Sequence, residues 1–458
     1  MSAQHVFKPG HWHGNNARNS IADFPVRKFP LDRDFCNIDF LVNYTGAGHY
    51  KQIQQNITWV DGDCDQKFVM ELSDHSLSHL PLNIKDSALK EYLDIAINNP
   101  NAIMIVSNIT EPCSLTNMKA LGYLLQNMDS KDFTNRVLCL VPDQDSIYIY
   151  REYLAQVHNY YDNLHIKDYA GHLVNYSGLK KTDSKRQTSY SEPRRVSLLN
   201  GQHKAFRLYI CYKLWQAGLL DKMQVTYWNK SGYGNPRNIP ISELKEDLEM
   251  IEKKCTSYSD IDPDFDAWLE TLPAQGGVVD SAYHATPEGK DFPWCLNESP
   301  IHVIPETLFD KGTMTDFNDT ENKSAGVFIT EKIYRALATG KAFIPMAQVG
   351  TLDKLHSMGF KTFERWWPEY NVEILTDNSI MTSEGPKNVN GSYQRYENLV
   401  KIVSDLYNKT DAEFQTMLTE MKPTLLHNQN RMQELIDHQE RNRKGVFTKI
   451  FNMVINNE

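Results

Sequence analysis

Apolar and polar positions alternate along this chain at two different spacings. Residues 38–42 (IDFLV), 68–72 (FVMEL), 102–106 (AIMIV) and 137–141 (VLCLV) are short apolar runs bounded by polar stretches, the pattern of buried strands. Between the last two, SLTNMKALGYLLQNM (114–128) carries apolar residues at helical spacing, and SIYIYREYLAQV (146–157) follows the fourth run as the next expected helix. Strands alternating with helices in this way predict a parallel sheet with crossover helices. A second series begins at VSLLN (196–200), a strand. It continues through a helix over 203–220, whose Gly218 marks its end, and a strand over 223–228. An acid-rich amphipathic helix over 241–256 and a strand over 302–309 come next. The segment FITEKIYRALATGKAFIPM (328–346) then packs a helix (330–339), Gly340 and a strand (342–346) into nineteen residues. A short helix over 350–360 and long polar helices over 394–408 and 411–443 close the series.

Between the two series the composition changes. Residues 178–195, GLKKTDSKRQTSYSEPRR, hold six basic and two acidic residues and almost nothing apolar, the composition of a linker or exposed loop. The pattern therefore predicts two α/β domains in tandem: an N-terminal domain over 1–190 and a second over 191–430, followed by a C-terminal helix over 431–458. At 458 residues the chain has room for two domains of about 200 residues.

Composition narrows the class. The 41% apolar content is that of a globular protein. No run approaches the roughly 18–20 apolar residues of a membrane span, and the opening MSAQHVFKPGHWHGNN has no apolar core of a secretory signal. Seven scattered cysteines without a CxxC pair argue against a disulfide framework or a structural zinc site. These features predict a soluble, cytoplasmic protein with no membrane span. A net charge of −10 argues against a general nucleic-acid coat, though a local basic patch can still meet DNA.

The segment 328–346 offers the sharpest chemistry. A helix that begins just past a strand of a parallel sheet presents unpaired N–H groups and a partial positive charge, which hold phosphates. Lys332 in the first turn adds a full charge suited to a diphosphate, and Glu331 can accept hydrogen bonds from ribose hydroxyls. Equally, Glu331 can simply favour a helix N-terminus while Lys332 is solvated.

TEKIYRALATGKAFIPM resembles the donor-site motif of the α1,3-fucosyltransferase family, through Phe328, Thr330, Glu331, Lys332, Ile333, Tyr334, Arg335, Ala336 and Gly340. Ala342-Phe343 departs from the usual Val-Pro, and Pro345 comes late. VSLLNGQHKAFRLYICYKL resembles the same family's strand–turn–helix, with Asn200 after the strand and Arg207-Leu208-Tyr209 in the helix. GTLDKLHSMGFKTF (350–363) is similar to glycosyltransferase-like proteins of tailed bacterial viruses. The resemblance spans roughly residues 196–365. It implies a GT-B-like fold, two Rossmann-like domains facing a central cleft with C-terminal helices, the helix over 431–458 packing back on the first domain. It also implies a donor site built from Asn200, Arg207, Thr330, Glu331, Lys332 and Tyr334. Glu331 would face the ribose, and Lys332 and Arg207 the diphosphate of a UDP- or GDP-linked sugar. Arginine suits bidentate phosphate contacts.

An inverting transfer needs a carboxylate to take the acceptor's proton. Glu111, in SNITEPCS just past 102–106, resembles the family's base, though a loop glutamate held before Pro112 is an equal reading. Asp74 with His75 is the second choice and Asp143 the third. Asp61-x-Asp63-x-Asp65 fails as a calcium loop, since its sixth and twelfth positions are Gln66 and Leu72. It also resembles a DxD metal motif, against which a polar turn is the stronger reading. No metal is expected to be needed, because Lys332 and Arg207 already face the diphosphate. The pair of histidines in HWHGNN (11–16) receives no role.

These residues predict a glycosyltransferase that uses a nucleoside-diphosphate sugar and a hydroxyl acceptor. The viral resemblance offers two acceptors, a hydroxymethylated base in double-stranded phage DNA, met in the host cytoplasm, or a cell-surface glycan. Lys180, Lys181, Lys185, Arg186, Arg194 and Arg195 could line a phosphate backbone or form a solvated linker. A nucleotide-sugar-binding module without turnover is the alternative class. A dinucleotide oxidoreductase is disfavoured, because no GxGxxG follows a predicted strand. The sequence leaves the oligomeric state open.

Overall fold

The structure is a computed structural model that describes residues 4–7, 26–29, 58–60, 68–73, 88–107, 115–157, 166–168, 194–200, 205–226, 267–268, 299–306, 327–348, 350–367, 381–382, 385–386 and 389–455. The strand expected over 38–42 and the helix expected over 241–256 lie outside these residues. The chain is mixed α/β with parallel sheets, and it divides into two compact units. The first comprises Met1–Ser177, Thr313–Phe328 and Leu435–Glu458. The second comprises Gly178–Gly312 and Ile329–Glu434.

The first unit holds a seven-stranded sheet. Its strands are β1 (Gln4–Phe7), β2 (Val26–Phe29), β3 (Thr58–Val60), β4 (Phe68–Ser73), β5 (Ala102–Ser107), β6 (Val137–Val141) and β7 (Ile166–Asp168), in the order β3-β2-β1-β4-β5-β6-β7. From β1 through β7 the neighbours β1, β4, β5, β6 and β7 run parallel, while β2 and β3 add an antiparallel extension. Helix α1 (Ala88–Asn98) joins β4 to β5, helices α2 (Leu115–Asn127) and α3 (Ser130–Arg136) join β5 to β6, and α4 (Gln144–Val157) joins β6 to β7. Period-two alternation divides the two central strands between faces. Ala102, Met104 and Val106 of β5, with Val137, Cys139 and Val141 of β6, pack against Leu93, Leu121, Leu124, Phe133 and Leu154 of the helices. The intervening Ile103, Ile105, Leu138 and Leu140 are buried as well, so these strands are covered on both faces, as a parallel sheet requires. Arg136 ties the elements together: its Nη1 donates to Ala96 O, Asn99 O and Ala102 O at 2.8, 2.7 and 3.2 Å.

The second unit holds a four-stranded, wholly parallel sheet of β8 (Val196–Leu199), β9 (Gln224–Thr226), β10 (Ile301–Pro305) and β11 (Ala342–Met346), in the order β11-β10-β8-β9. A two-residue pair, β12 (Met381–Thr382) and β13 (Gly385–Pro386), stands apart from it. Helix α5 (Ala205–Gln216) follows β8, α6 (Glu331–Thr339) precedes β11, and α7 (Thr351–Ser357), α8 (Val389–Asn408) and α9 (Asp411–Ile455) follow it. Every residue of β10 and β11 is buried. Pro345 sits within β11, pairing Ile304 of β10; among the described residues β11 is an edge strand, where a residue without an N–H is tolerated. The chain reverses direction across this sheet. It steps from β8 to β9 on one side, and β10 then returns to the other side of β8.

Local signals set the helix ends around that reversal. Gly340 adopts the left-handed conformation (φ 64°), so Lys341 N–H reaches Ala336 O at 2.9 Å and Gly340 N–H reaches Leu337 O at 3.3 Å. This closes α6 abruptly and lets β11 start two residues later. Helix α7 ends the same way at Gly359 (φ 86°). Side chains of α9 cover both turns: Gln429 stands against Gly340, while Arg431 Nε donates to Met358 O at 2.7 Å and His427 Nε2 to Gly359 O at 2.9 Å. Asn428 of the same helix bonds both the N–H and the carbonyl of Lys361, at 2.9 and 2.8 Å. Among the described residues no helix is long and apolar enough to cross a membrane.

Candidate functional site

The carboxyl edge of the second unit's sheet gathers the residues singled out after β8 and at the start of α6. In open parallel sheets, ligands bind at the carboxyl ends of strands where the strand order reverses. Here that point lies between β8 and β10. Asn200 is the first residue past β8 and Glu306 the first past β10.

Glu306 organises the site. Its carboxylate is 1% exposed and accepts hydrogen bonds from the Thr330 backbone N–H (3.1 Å to Oε1) and from Thr330 Oγ1. Thr330 is the N-cap of α6, so Glu306 places an anion at that helix's positive end. The Thr330 hydroxyl donates to Glu306 and accepts twice, from the Lys332 N–H at 3.4 Å and from Lys332 Nζ at 2.9 Å, the full capacity of one hydroxyl. Lys332 Nζ also lies 3.6 Å from Glu306 Oε2 and 3.1 Å from Glu331 Oε1. From the other side, buried Arg207 of α5 donates through Nη2 to Glu306 O at 3.1 Å. The Glu306 carboxylate thus meets Thr330 and Lys332 at the start of α6, while its backbone carbonyl holds Arg207 of α5.

Asn200 is 4% exposed, and its Nδ2 donates to Cys211 Sγ of α5 at 3.3 Å. Its Oδ1 is buried without a hydrogen-bond partner. Tyr334 lies one turn into α6 and is buried. The structure thus brings Arg207, Thr330, Glu331 and Lys332 into one network and sets Asn200 at the neighbouring strand end. Glu306 went unnoticed in the sequence. Its only signal was its place, an acidic residue directly past an apolar strand.

The remaining candidates fall elsewhere. Arg194 and Arg195 precede β8, at the opposite edge of the sheet. Arg194 Nη1 donates to Asp221 O at 3.0 Å and to Met223 O. Arg195 donates to Leu406 O, Lys409 O and Asp411 Oδ1 at 2.6, 2.7 and 2.7 Å and lies over the Phe414 ring. Arg195 thus secures the junction of α8 and α9, and Arg194 the turn that leads into β9. Asp143 Oδ1 accepts from the N–H and hydroxyl of Ser146 at 2.8 and 2.9 Å, at the start of α4. Glu111, Asp74, His75, Lys180, Lys181, Lys185 and Arg186 lie outside the described residues, as do Asp61, Asp63, Asp65 and the HWHGNN histidines. Lys341 begins the approach to β11 at the sheet's amino edge, away from the site, and burial lowers its ammonium pKa.

Compared with known proteins, the chain matches no family model, no curated protein and no solved structure.

Proposed function

We propose that the second unit binds the nucleoside diphosphate of a sugar nucleotide, UDP- or GDP-linked, and that the chain is a GT-B-like glycosyltransferase. In this reading the two units are Rossmann-like domains facing a central cleft. The observation that carries it is the meeting of Arg207 and Lys332 around Glu306 at the carboxyl edge, where the strand order reverses. Bulk charge does not explain that meeting, since the chain as a whole is acidic. Glu306 holds Thr330 and Lys332 in place before any ligand arrives, and such preorganisation reduces what binding must order. Lys332 and Arg207 then face the diphosphate, and Glu331 faces the ribose. Glu111 takes the acceptor's hydroxyl proton as that oxygen bonds to the anomeric carbon, while the nucleoside diphosphate departs with the electron pair of the broken bond. The acceptor is a hydroxyl of a hydroxymethylated base in DNA, or alternatively of a cell-surface glycan.

Thermal-shift titration with UDP, GDP, ADP and their common sugars tests the donor half. A ligand of the native state raises apparent stability by mass action. One diphosphate should raise the wild-type melting temperature and leave Lys332→Ala unmoved. No shift with any of them would overturn the reading.

A further inference from the structure

One buried acceptor at the carboxyl edge of this sheet has no donor. Asn200, the first residue past β8, is 4% exposed, and its Oδ1 makes no hydrogen bond. Its Nδ2 donates to Cys211 Sγ of α5 at 3.3 Å. The two arms of an amide diverge, so Oδ1 points away from that sulfur. Buried polar groups in folded proteins are ordinarily satisfied, and this one asks for a donor from outside the chain.

Strand register places the acceptor. Val196, Ser197 and Leu198 of β8 pair with Ile301, His302 and Val303 of β10. Continuing that register sets Asn200 beside Pro305, one residue before Glu306. Neighbouring strands lie roughly 4.8 Å apart, and Glu306 accepts at 3.1 Å from the N–H of Thr330, the N-cap of α6. The bare carbonyl therefore stands one strand away from the residues that fix the helix mouth carrying Glu331 and Lys332. A carbonyl does not bind phosphate oxygens, which are themselves acceptors; it takes an O–H or an N–H. Within a nucleoside diphosphate the ribose is bonded directly to the phosphates and carries two neighbouring hydroxyls, while the base lies a ring further out. Glu331 takes one of those hydroxyls in the nucleotide-sugar reading, which leaves the other for Asn200.

We infer that Asn200 is a specificity-determining residue whose Oδ1 accepts a hydrogen bond from a ribose hydroxyl, so that the site takes ribonucleoside diphosphates in preference to their deoxy counterparts. The inference rests on the nucleotide-sugar reading and adds a selection that the reading leaves open. A residue that only packed the end of β8 would affect both kinds of nucleotide alike.

The test is calorimetric titration of the full chain with UDP and GDP, with their 2′-deoxy and 3′-deoxy forms, and with UDP-glucose. It compares wild type, Asn200→Leu and Asn200→Asp, each melted beforehand to establish that it folds. Wild type should prefer the ribonucleotide over each deoxy form about tenfold, the worth of one hydrogen bond. In Asn200→Leu the preference over one of the two deoxy forms should disappear, while the other, set by Glu331, persists. Asn200→Asp keeps an acceptor and should retain both preferences, although its charge weakens every diphosphate alike. A folded Asn200→Leu with both preferences intact overturns the inference while leaving the donor site standing. So does a variant that loses only the ratio of UDP-glucose to UDP affinity, which would place Asn200 on the transferred sugar. Should Asn200→Leu not fold, intact preferences in Asn200→Ala overturn it equally. If wild type binds none of these nucleotides, the donor site itself falls, and the role of Asn200 with it.

Discussion

At the scale of single residues, Glu306 and Asn200 pull in opposite directions. Glu306 is a buried carboxylate bonded to Thr330 and facing Lys332, so Glu306→Gln and Lys332→Met should each destabilise the fold, by about 1–3 kcal/mol as buried partners are stranded. Because the two side chains share one network, the double variant should lose about 1 kcal/mol less than the sum of the singles. Urea unfolding of the four proteins measures this, and strict additivity would show that the pair does not interact. Asn200 is the reverse case. Its Oδ1 makes no hydrogen bond and its Nδ2 donates only to a sulfur, so Asn200→Leu should melt close to wild type yet give no thermal response to the diphosphate that wild type binds. A marked drop in melting temperature would show a structural role. The sequence disclosed Arg207, Thr330, Glu331 and Lys332 because they fall in short motifs beside strands. Glu306 escaped because its role depends on Thr330, twenty-four positions further on.

At the scale of elements, apolar runs were a sound guide to several strands of both sheets. The expected strands over 68–72, 102–106, 137–141 and 342–346 all appear within a residue of their expected ends. β1, β2, β3 and β7 were not legible, since three or four residues are too few to display alternation. Helix α1 was missed although Leu93 and Ala96 face the core. Its Ile95–Ile97 run lies beside them, breaking the single stripe that marks an amphipathic helix. Junctions between elements bring their own pH dependence. Tyr407 of α8 is half-buried and donates to Lys222 O at 2.6 Å, and burial pushes its pKa up to about 12. A phenol whose folded pKa exceeds its unfolded value near 10 stabilises the fold fully below about pH 10 and ceases to do so as pH rises through about 12. Tyr407→Phe should therefore flatten the fall in melting temperature between pH 10 and 12, read by circular dichroism. An identical alkaline profile would place the transition on another group.

At the scale of the whole molecule, helix α9 matters most. It runs from Asp411 to Ile455, and the residues from Leu435 onward belong to the first unit. Its start is held by a reciprocal cap in which Glu413 Oε2 accepts from Thr410 N–H and Oγ1–H, both at 2.8 Å. Ending the chain at Glu434 should leave the second unit's diphosphate response intact while opening Met1–Ser177 to protease. Mass spectrometry of a limited digest separates the two, and uniform sensitivity along the chain would refute the division. The same discontinuity also orders the birth of the protein. Ribosomes deliver domains from the N-terminus onward, and domains generally fold as they emerge. In this chain every residue of the second unit is synthesised before Leu435 exists. The unit that begins first is therefore finished last: its seven strands are all made by Asp168, yet its closing helical segment arrives only after the second unit has been synthesised.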